Sequence, residues 1–133
     1  AEAAVAAAVR ALPEAAGRRS RTARIPLVGA APPRELSALD APPRLVRRYG
    51  TEAPLLVALA RDLGHGLEPV APGSPVLGVE LDWAVRHEGA LDVADLLDRR
   101  TRIGLVKADR DAAAPAAEAA LRQEGQQTGV AQR

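Results

Sequence analysis

The chain has 133 residues, a formal net charge of +1, one Trp, one Tyr, and no Cys, Phe or Met. The absence of cysteine excludes disulfide and thiolate chemistry, and a charge this small argues against a chain-wide nucleic-acid footprint. No apolar run approaches the ~20 residues of a membrane span, and residues 1–12 carry Glu2 and Arg10 without cleavage-site architecture, so neither an anchor nor a signal peptide is expected.

The core must come from Leu, Val, Ile and Ala, which suits helices more than strands. The expectation is an all-α fold: a single small bundle of five to six helices with a long Pro/Arg-rich N-terminal connection. Glu2 to Leu12 reads as a first helix, with Val5, Val9 and Leu12 at spacings of four and three, stopped by Pro13 and Gly17. Residues 17–43 hold five prolines and the run RRSRTAR (18–24), and read as irregular chain. Ile25, Leu27 and Val28 are apolar within it, so partial docking on a neighbour is expected. A short helix is predicted from Pro43 to Tyr49 with Leu45 and Val46 inward.

Thr51 is the predicted N-cap of the next helix, and Pro54 is tolerated in its first turn. Leu55, Leu56, Leu59 and Leu63 form its apolar stripe and Gly64 ends it. Glu68 to Gly78 reads as a loop and Val79 to His87 as a helix. Asp92 is the next N-cap, and Asp95 three residues on suggests a capping-box-like arrangement ahead of Val93, Leu96 and Leu97. Asp109 is the predicted cap of a last helix ending near Glu124, followed by a polar tail. The domain boundaries expected are 1–43 for the first helix and connection, 44–124 for the helical body, and 125–133 for a flexible tail.

Charge is uneven along the chain: residues 1–50 hold nine Arg and four acids, and residues 51–133 nine Lys plus Arg and 13 acids. Charge matching within one larger protein and contact with an acidic partner are both compatible with that pattern. Glu80 and Glu88 lie near one helix face and carboxylates serve as general acids and bases. Neighbouring arginines lower carboxylate pKa values, however, which is the wrong direction for a general acid. The reading favoured is a structural ion-pair network of Glu80, Arg86, Glu88, Asp95, Arg99, Arg100 and Arg102, in which Glu88→Ala lowers the melting point strongly. His65 and His87 are too far apart in sequence, and too poorly supported by other ligands, to suggest zinc. His65 reads as a polar cap near a helix end. Ser20, Ser37 and Ser74 lack a nucleophile-elbow context. The glycines of GHG (64–66) lack the strand–turn–helix context of a phosphate cradle. Around Gly89 the two helices loosely suggest helix–turn–helix, but Asp92, Asp95 and Asp98 would repel phosphates.

RIPLVGA (24–30), RYGTEAP (48–54) and above all EGALDVADLLDRRTRIGL (88–105) resemble, in their order and spacing, the C-terminal helical domain of FAD-dependent glycerol-3-phosphate dehydrogenases. AEAAVAAAV (1–9) resembles the helix that follows the substrate-binding segment there, although Ala3 and Ala6 stand where the family usually has acids. The resemblance implies a parent enzyme that oxidises glycerol 3-phosphate to dihydroxyacetone phosphate and passes electrons from FAD to quinone. It implies no catalytic, cofactor or metal residue on this chain, FAD held in the parent, and an upstream flavin domain as partner, with no nucleic acid expected. A cytoplasmic location follows, with peripheral contact at the inner face of the cell membrane left open. The competing reading is a stand-alone helical module that binds an acidic partner or nucleic acid.

Overall fold

Prolines and glycines punctuate this chain, and the elements between them are helices. The computed structural model describes residues 2–10 and 24–130, with the side chains of residues 2 and 124–130 undescribed. Among the described residues the α-helices are α1 (Glu2–Val9), α2 (Pro33–Leu36), α3 (Pro43–Tyr49), α4 (Ala53–Leu63), α5 (Gly78–His87) and α6 (Lys107–Val130). A π-helix spans Asp95–Arg100, and 3-10 turns span Gly50–Glu52 and Ile103–Leu105. The all-α expectation is met. The break at Pro13 and Gly17 and the run RRSRTAR up to residue 23 lie outside the described residues.

Proline at the first positions of α2, α3 and α4 supplies a fixed φ where no intrahelical amide partner is needed. Thr51 does not cap α4. It lies in the 3-10 turn, and α4 begins at Ala53 with no side-chain cap. The junction with α3 is tight: Gly50 ends that helix at φ 58, and Glu52, the residue before α4, is itself in the right-handed helical region. Gly64 ends α4 in the left-handed region (φ 73), and the His65 amide donates to Ala60 O, the pattern of a Schellman cap. The buried face of α4 is Ala53, Leu56 and Ala60, whereas Leu55 is 55% exposed and Leu59 and Leu63 are half-buried. The expected leucine stripe is therefore displaced, because small residues let α4 approach α3 and α5 closely.

The 64–78 excursion folds back on itself. The Val70 amide donates to Val76 O, Pro69 bridges to Leu77, and the Val79 amide donates to Gly66 O at 2.8 Å. This return delivers α5 into the middle of the molecule, packed on α4 on one side and α6 on the other. Val79 to Ala84 are six consecutive buried residues. Val79 and Trp83 join Leu45, Tyr49, Ala53, Leu56 and Ala60 in one cluster. Leu81 and Ala84 join Leu96, Leu97, Ala113, Ala117 and Ala120 in the other. Burying side chains such as Leu45 and Leu56 fully is worth roughly 1.5–3 kcal/mol each.

The capping box at Asp92 forms with an offset. The Asp95 amide donates to Asp92 Oδ1 (2.7 Å), and the Asp95 carboxylate accepts from the Leu91 amide (2.9 Å). The helix then widens: the Thr101 amide reaches Leu96 O five residues back, and Thr101 Oγ1 donates to the same oxygen at 2.8 Å. Helix α6 begins at Lys107, after Val106 in an extended conformation, so Asp109 is an exposed first-turn residue and not the cap. It runs on to Val130, past the end expected near Glu124. No helix among the described residues is long and apolar enough to cross a membrane.

Residues 24–42 are tied to the end of α3 by a backbone clasp. The Thr51 amide donates to Gly29 O at 3.0 Å. Gly29 (φ 77) and Gly50 (φ 58) approach so closely that a Cβ on Gly29 would lie 2.4 Å from Tyr49 O, and one on Gly50 would lie 1.7 Å from Gly29 O. Just before the clasp, Leu27 to Ala30 close a β-turn through the Ala30 amide and Leu27 O (3.0 Å). Gly29 at its third position supplies the positive φ that a type II turn requires.

Candidate functional site

Arg44 and Arg48 are four residues apart on α3, so both point from one face. Glu80 is the third residue of α5 and fully buried. None of the residues three or four positions from Glu80 on its own helix is cationic, so its charge must be matched from another element. Arg44 Nε donates to Glu80 Oε1 at 2.5 Å and Arg44 Nη2 to Oε2 at 3.1 Å, a bidentate pair. Arg48 Nε lies 3.4 Å from Oε2. The Leu77 amide donates to Oε1 at 2.9 Å, so the same carboxylate caps α5.

Arg48 extends the clamp. Its Nε donates to the Tyr49 hydroxyl at 3.0 Å, its guanidinium lies 5.4 Å from the Tyr49 ring centre, and its Nη2 donates to the carbonyl of Arg100. Arg100 Nη2 in turn donates to Glu88 O at 2.7 Å, with Arg100 Nε 3.7 Å from Glu88 Oε2. One buried carboxylate thus ties α3 to α5, and Arg48 carries the tie to the end of the π-helix. Burial pushes the Tyr49 phenol up to about 12, against the opposing pull of the Arg48 guanidinium. Trp83 meets Tyr49 edge-on at 6.4 Å between ring centres, and His87 packs on Trp83 at 4.0 Å.

The seven residues named from the sequence are distributed over more than one arrangement. Glu88 and Arg100 meet, and Asp95 pairs with Arg99 one turn on. The Leu91 amide, and then Arg99, hold the Asp95 carboxyl below the usual carboxylate range. Glu80 is clamped from α3 instead of by Arg86, Arg99, Arg100 or Arg102. Arg86 lies half-buried on α5, and Arg102 is exposed with φ 60 at the start of the 3-10 turn. Asp98, not in the predicted set, pairs with Arg110 of α6 at 3.1 Å. The Arg44–Glu80–Arg48 clamp was missed. Its signal was the four-residue arginine spacing on α3 together with a glutamate lacking helical cationic neighbours.

Among the described residues no group of three His, Cys, Asp or Glu is placed to hold a metal ion. His65 closes α4 through its backbone, with its ring Nε2 3.4 Å from the Gln123 amide nitrogen. The open cavity of ≈ 280 Å³ beside it is lined by Val57, Ala60, Arg61, Gly64, Leu67 and Glu68. Gly64 and Gly66 are committed to the helix cap and to close approach against Val79, so GHG does not form a phosphate cradle. The apolar side chains that remain outside both clusters include Ile25 (62% exposed), Leu27 and Val28 (82% each).

Comparison with known proteins gives this geometry its context. A family model described as the C-terminal domain of alpha-glycerophosphate oxidase matches residues 20–129. Proteins named glycerol-3-phosphate dehydrogenase 1 from Mycobacterium bovis (strain ATCC BAA-935 / AF2122/97) and Mycobacterium tuberculosis (strains CDC 1551 / Oshkosh and ATCC 25618 / H37Rv) are each 50% identical over 96 residues. The aligned stretch is 70% of this chain and 18% of each relative, so the chain corresponds to less than a fifth of their length. No solved structure matches.

Proposed function

The chain belongs to the family described as the C-terminal domain of alpha-glycerophosphate oxidase, and from that membership we propose that it is the non-catalytic helical cap of an FAD-dependent glycerol-3-phosphate dehydrogenase. On this reading residues 1–43 lead out of the flavin domain, residues 44–124 form the cap, and residues 125–133 are a tail. The upstream part holds FAD, oxidises glycerol 3-phosphate to dihydroxyacetone phosphate and passes the electrons to a quinone. The parent works in the cytoplasm, and contact with the inner face of the cell membrane is left open. The observation that carries the reading is the 50% identity to dehydrogenases in which the matched stretch is a minor part.

The residues present support a scaffold and not a flavin site. The only Gly-x-Gly of the described residues closes a helix, and the one buried Arg–Glu constellation is fully satisfied within the domain. Both Glu80 oxygens are engaged, by Arg44, Arg48 and the Leu77 amide, which suits a tie between α3 and α5.

The test compares two polypeptides: a mycobacterial relative cut before the matched stretch, and the same segment followed by this chain. Glycerol-3-phosphate-dependent dye reduction is measured for each, and for this chain alone. Restored or stabilised turnover in the joined polypeptide, with none from the chain alone, is expected. A joined polypeptide that binds flavin yet gains nothing over the cut one would overturn the reading.

A further inference from the structure

Resting on that cap reading, we propose that the β-turn Leu27–Ala30 is a preformed plug that seats this domain in an apolar, acid-rimmed socket on the preceding flavin domain. Three observations meet at this turn. Ile25, Leu27 and Val28 are 62%, 82% and 82% exposed and belong to neither core cluster, so the domain's own packing does not call for them. A single exposed apolar side chain is ordinary, but a contiguous set at one tip marks an interaction site.

The tip is also held in shape. The type II turn is closed by the Ala30 amide, and the clasp between Gly29 and Gly50 fixes it against the end of α3. A plug ordered before it docks loses little freedom on docking, which is the usual source of affinity in a small contact.

The surroundings identify the partner's chemistry. Residues 24–52 carry five arginines (Arg24, Arg34, Arg44, Arg47, Arg48) against Glu35, Asp40 and Glu52, and Glu80 from α5 takes up Arg44 and Arg48, so one net positive charge remains. The remaining positive charge favours an acidic rim around the socket. The turn lies at the leading edge of the matched span 20–129, and in the relatives the matched stretch is 18% of the length. The surface nearest that edge in such a polypeptide is the domain that comes before it.

The test uses the joined polypeptide described above, in three forms: unchanged, L27D/V28D, and L105D. Leu105 is 80% exposed on the 3-10 turn Ile103–Leu105 and controls for loss of any exposed leucine. The readouts are the half-life of dye-reducing activity on warming and the rate at which a protease separates the two parts. L27D/V28D is expected to shorten the half-life and speed the separation by about tenfold or more, the effect of losing a central apolar anchor, with L105D unchanged. Both side chains are exposed, so an unaltered far-UV spectrum accompanies the loss. If L27D/V28D matches the unchanged form, the plug is wrong while the cap reading stands. If the unchanged joined polypeptide gains nothing over the cut one, the cap reading falls and the plug with it. If the substitution abolishes only self-association, leaving half-life and separation unchanged, the socket belongs to a second copy and the proposal is overturned.

Discussion

Glu80 concentrates the polar energetics of this domain in one side chain. It is fully buried, whereas its two arginines are 27% and 31% exposed. Removing it strands two guanidiniums and the Leu77 amide. Glu80→Ala is therefore expected to cost roughly 3 kcal/mol, the low end for breaking a buried pair because both cations reach water. In a thermal melt followed by circular dichroism this is a fall on the order of 10 °C. Glu88→Ala, expected from sequence to be the damaging change, removes a carboxylate that is 27% exposed and 3.7 Å from Arg100. It should cost about 1 kcal/mol or less, and equal melting points for the two variants would contradict this ranking. Tyr49 gives a pH dependence of definite sign. Its folded pKa, raised by burial to about 12, exceeds the ordinary 10.0, so its contribution is complete below pH 10 and disappears as pH rises from 10 to about 12. Since it is the only tyrosine, tyrosinate absorbance reports the transition directly, and ionisation at the ordinary pKa in the folded chain would refute the assignment. The Glu80 clamp was not legible in the charges around 80–102, because helical spacing ranks partners within an element and Glu80 takes its partners from α3.

At the scale of elements, helix punctuation was the readable part. Pro43 and Gly64 mark real boundaries because proline and glycine act through their own backbone constraints, whatever surrounds them. The burial pattern of α4 was only partly readable from the leucines: Leu56 is buried as expected, but Ala53 and Ala60 complete the contact face and Leu55 is left in water. The π winding of Asp95–Arg100 was equally hidden, because it depends on a hydrogen bond five residues back that no propensity scale encodes. That winding makes Thr101 a specific support. Thr101→Val keeps the branched shape and loses the bond to Leu96 O, and should cost about 1 kcal/mol, read as a few degrees in the melt. In α6, exposed Pro115 lies inside the helix and has no amide hydrogen to offer Asp111 O four residues back. Pro115→Ala should raise the melting temperature, and a lower value would mean that the proline serves another contact.

Among the described residues the core is two apolar clusters sharing one helix. Because α5 gives Val79 and Trp83 to one cluster and Leu81 and Ala84 to the other, neither can open without disturbing the register of the other. The two should therefore unfold together. Trp83 is the only tryptophan and reports one cluster, while far-UV circular dichroism reports all helices. Coincident denaturant transitions by the two probes are expected, and separated midpoints would show that the clusters are independent units. The composition pointed to this all-helical outcome. What it did not reveal was the order of assembly, with α5 central and the long connection tied to the end of α3, because that order is set by the 64–78 return and the clasp near residue 29.

The clasp also constrains how the sequence can drift. At Gly29 and Gly50 the obstructing atoms are the main-chain oxygens of Tyr49 and Gly29. Every amino acid carries that oxygen, so no second-site change at either neighbour makes room for a side chain. Most damaging core substitutions have suppressors, in which a smaller neighbour compensates for a larger residue. A saturation library at these two positions should yield none, and the pair should behave as a genetic dead end, accessible only to changes that relocate the loop altogether.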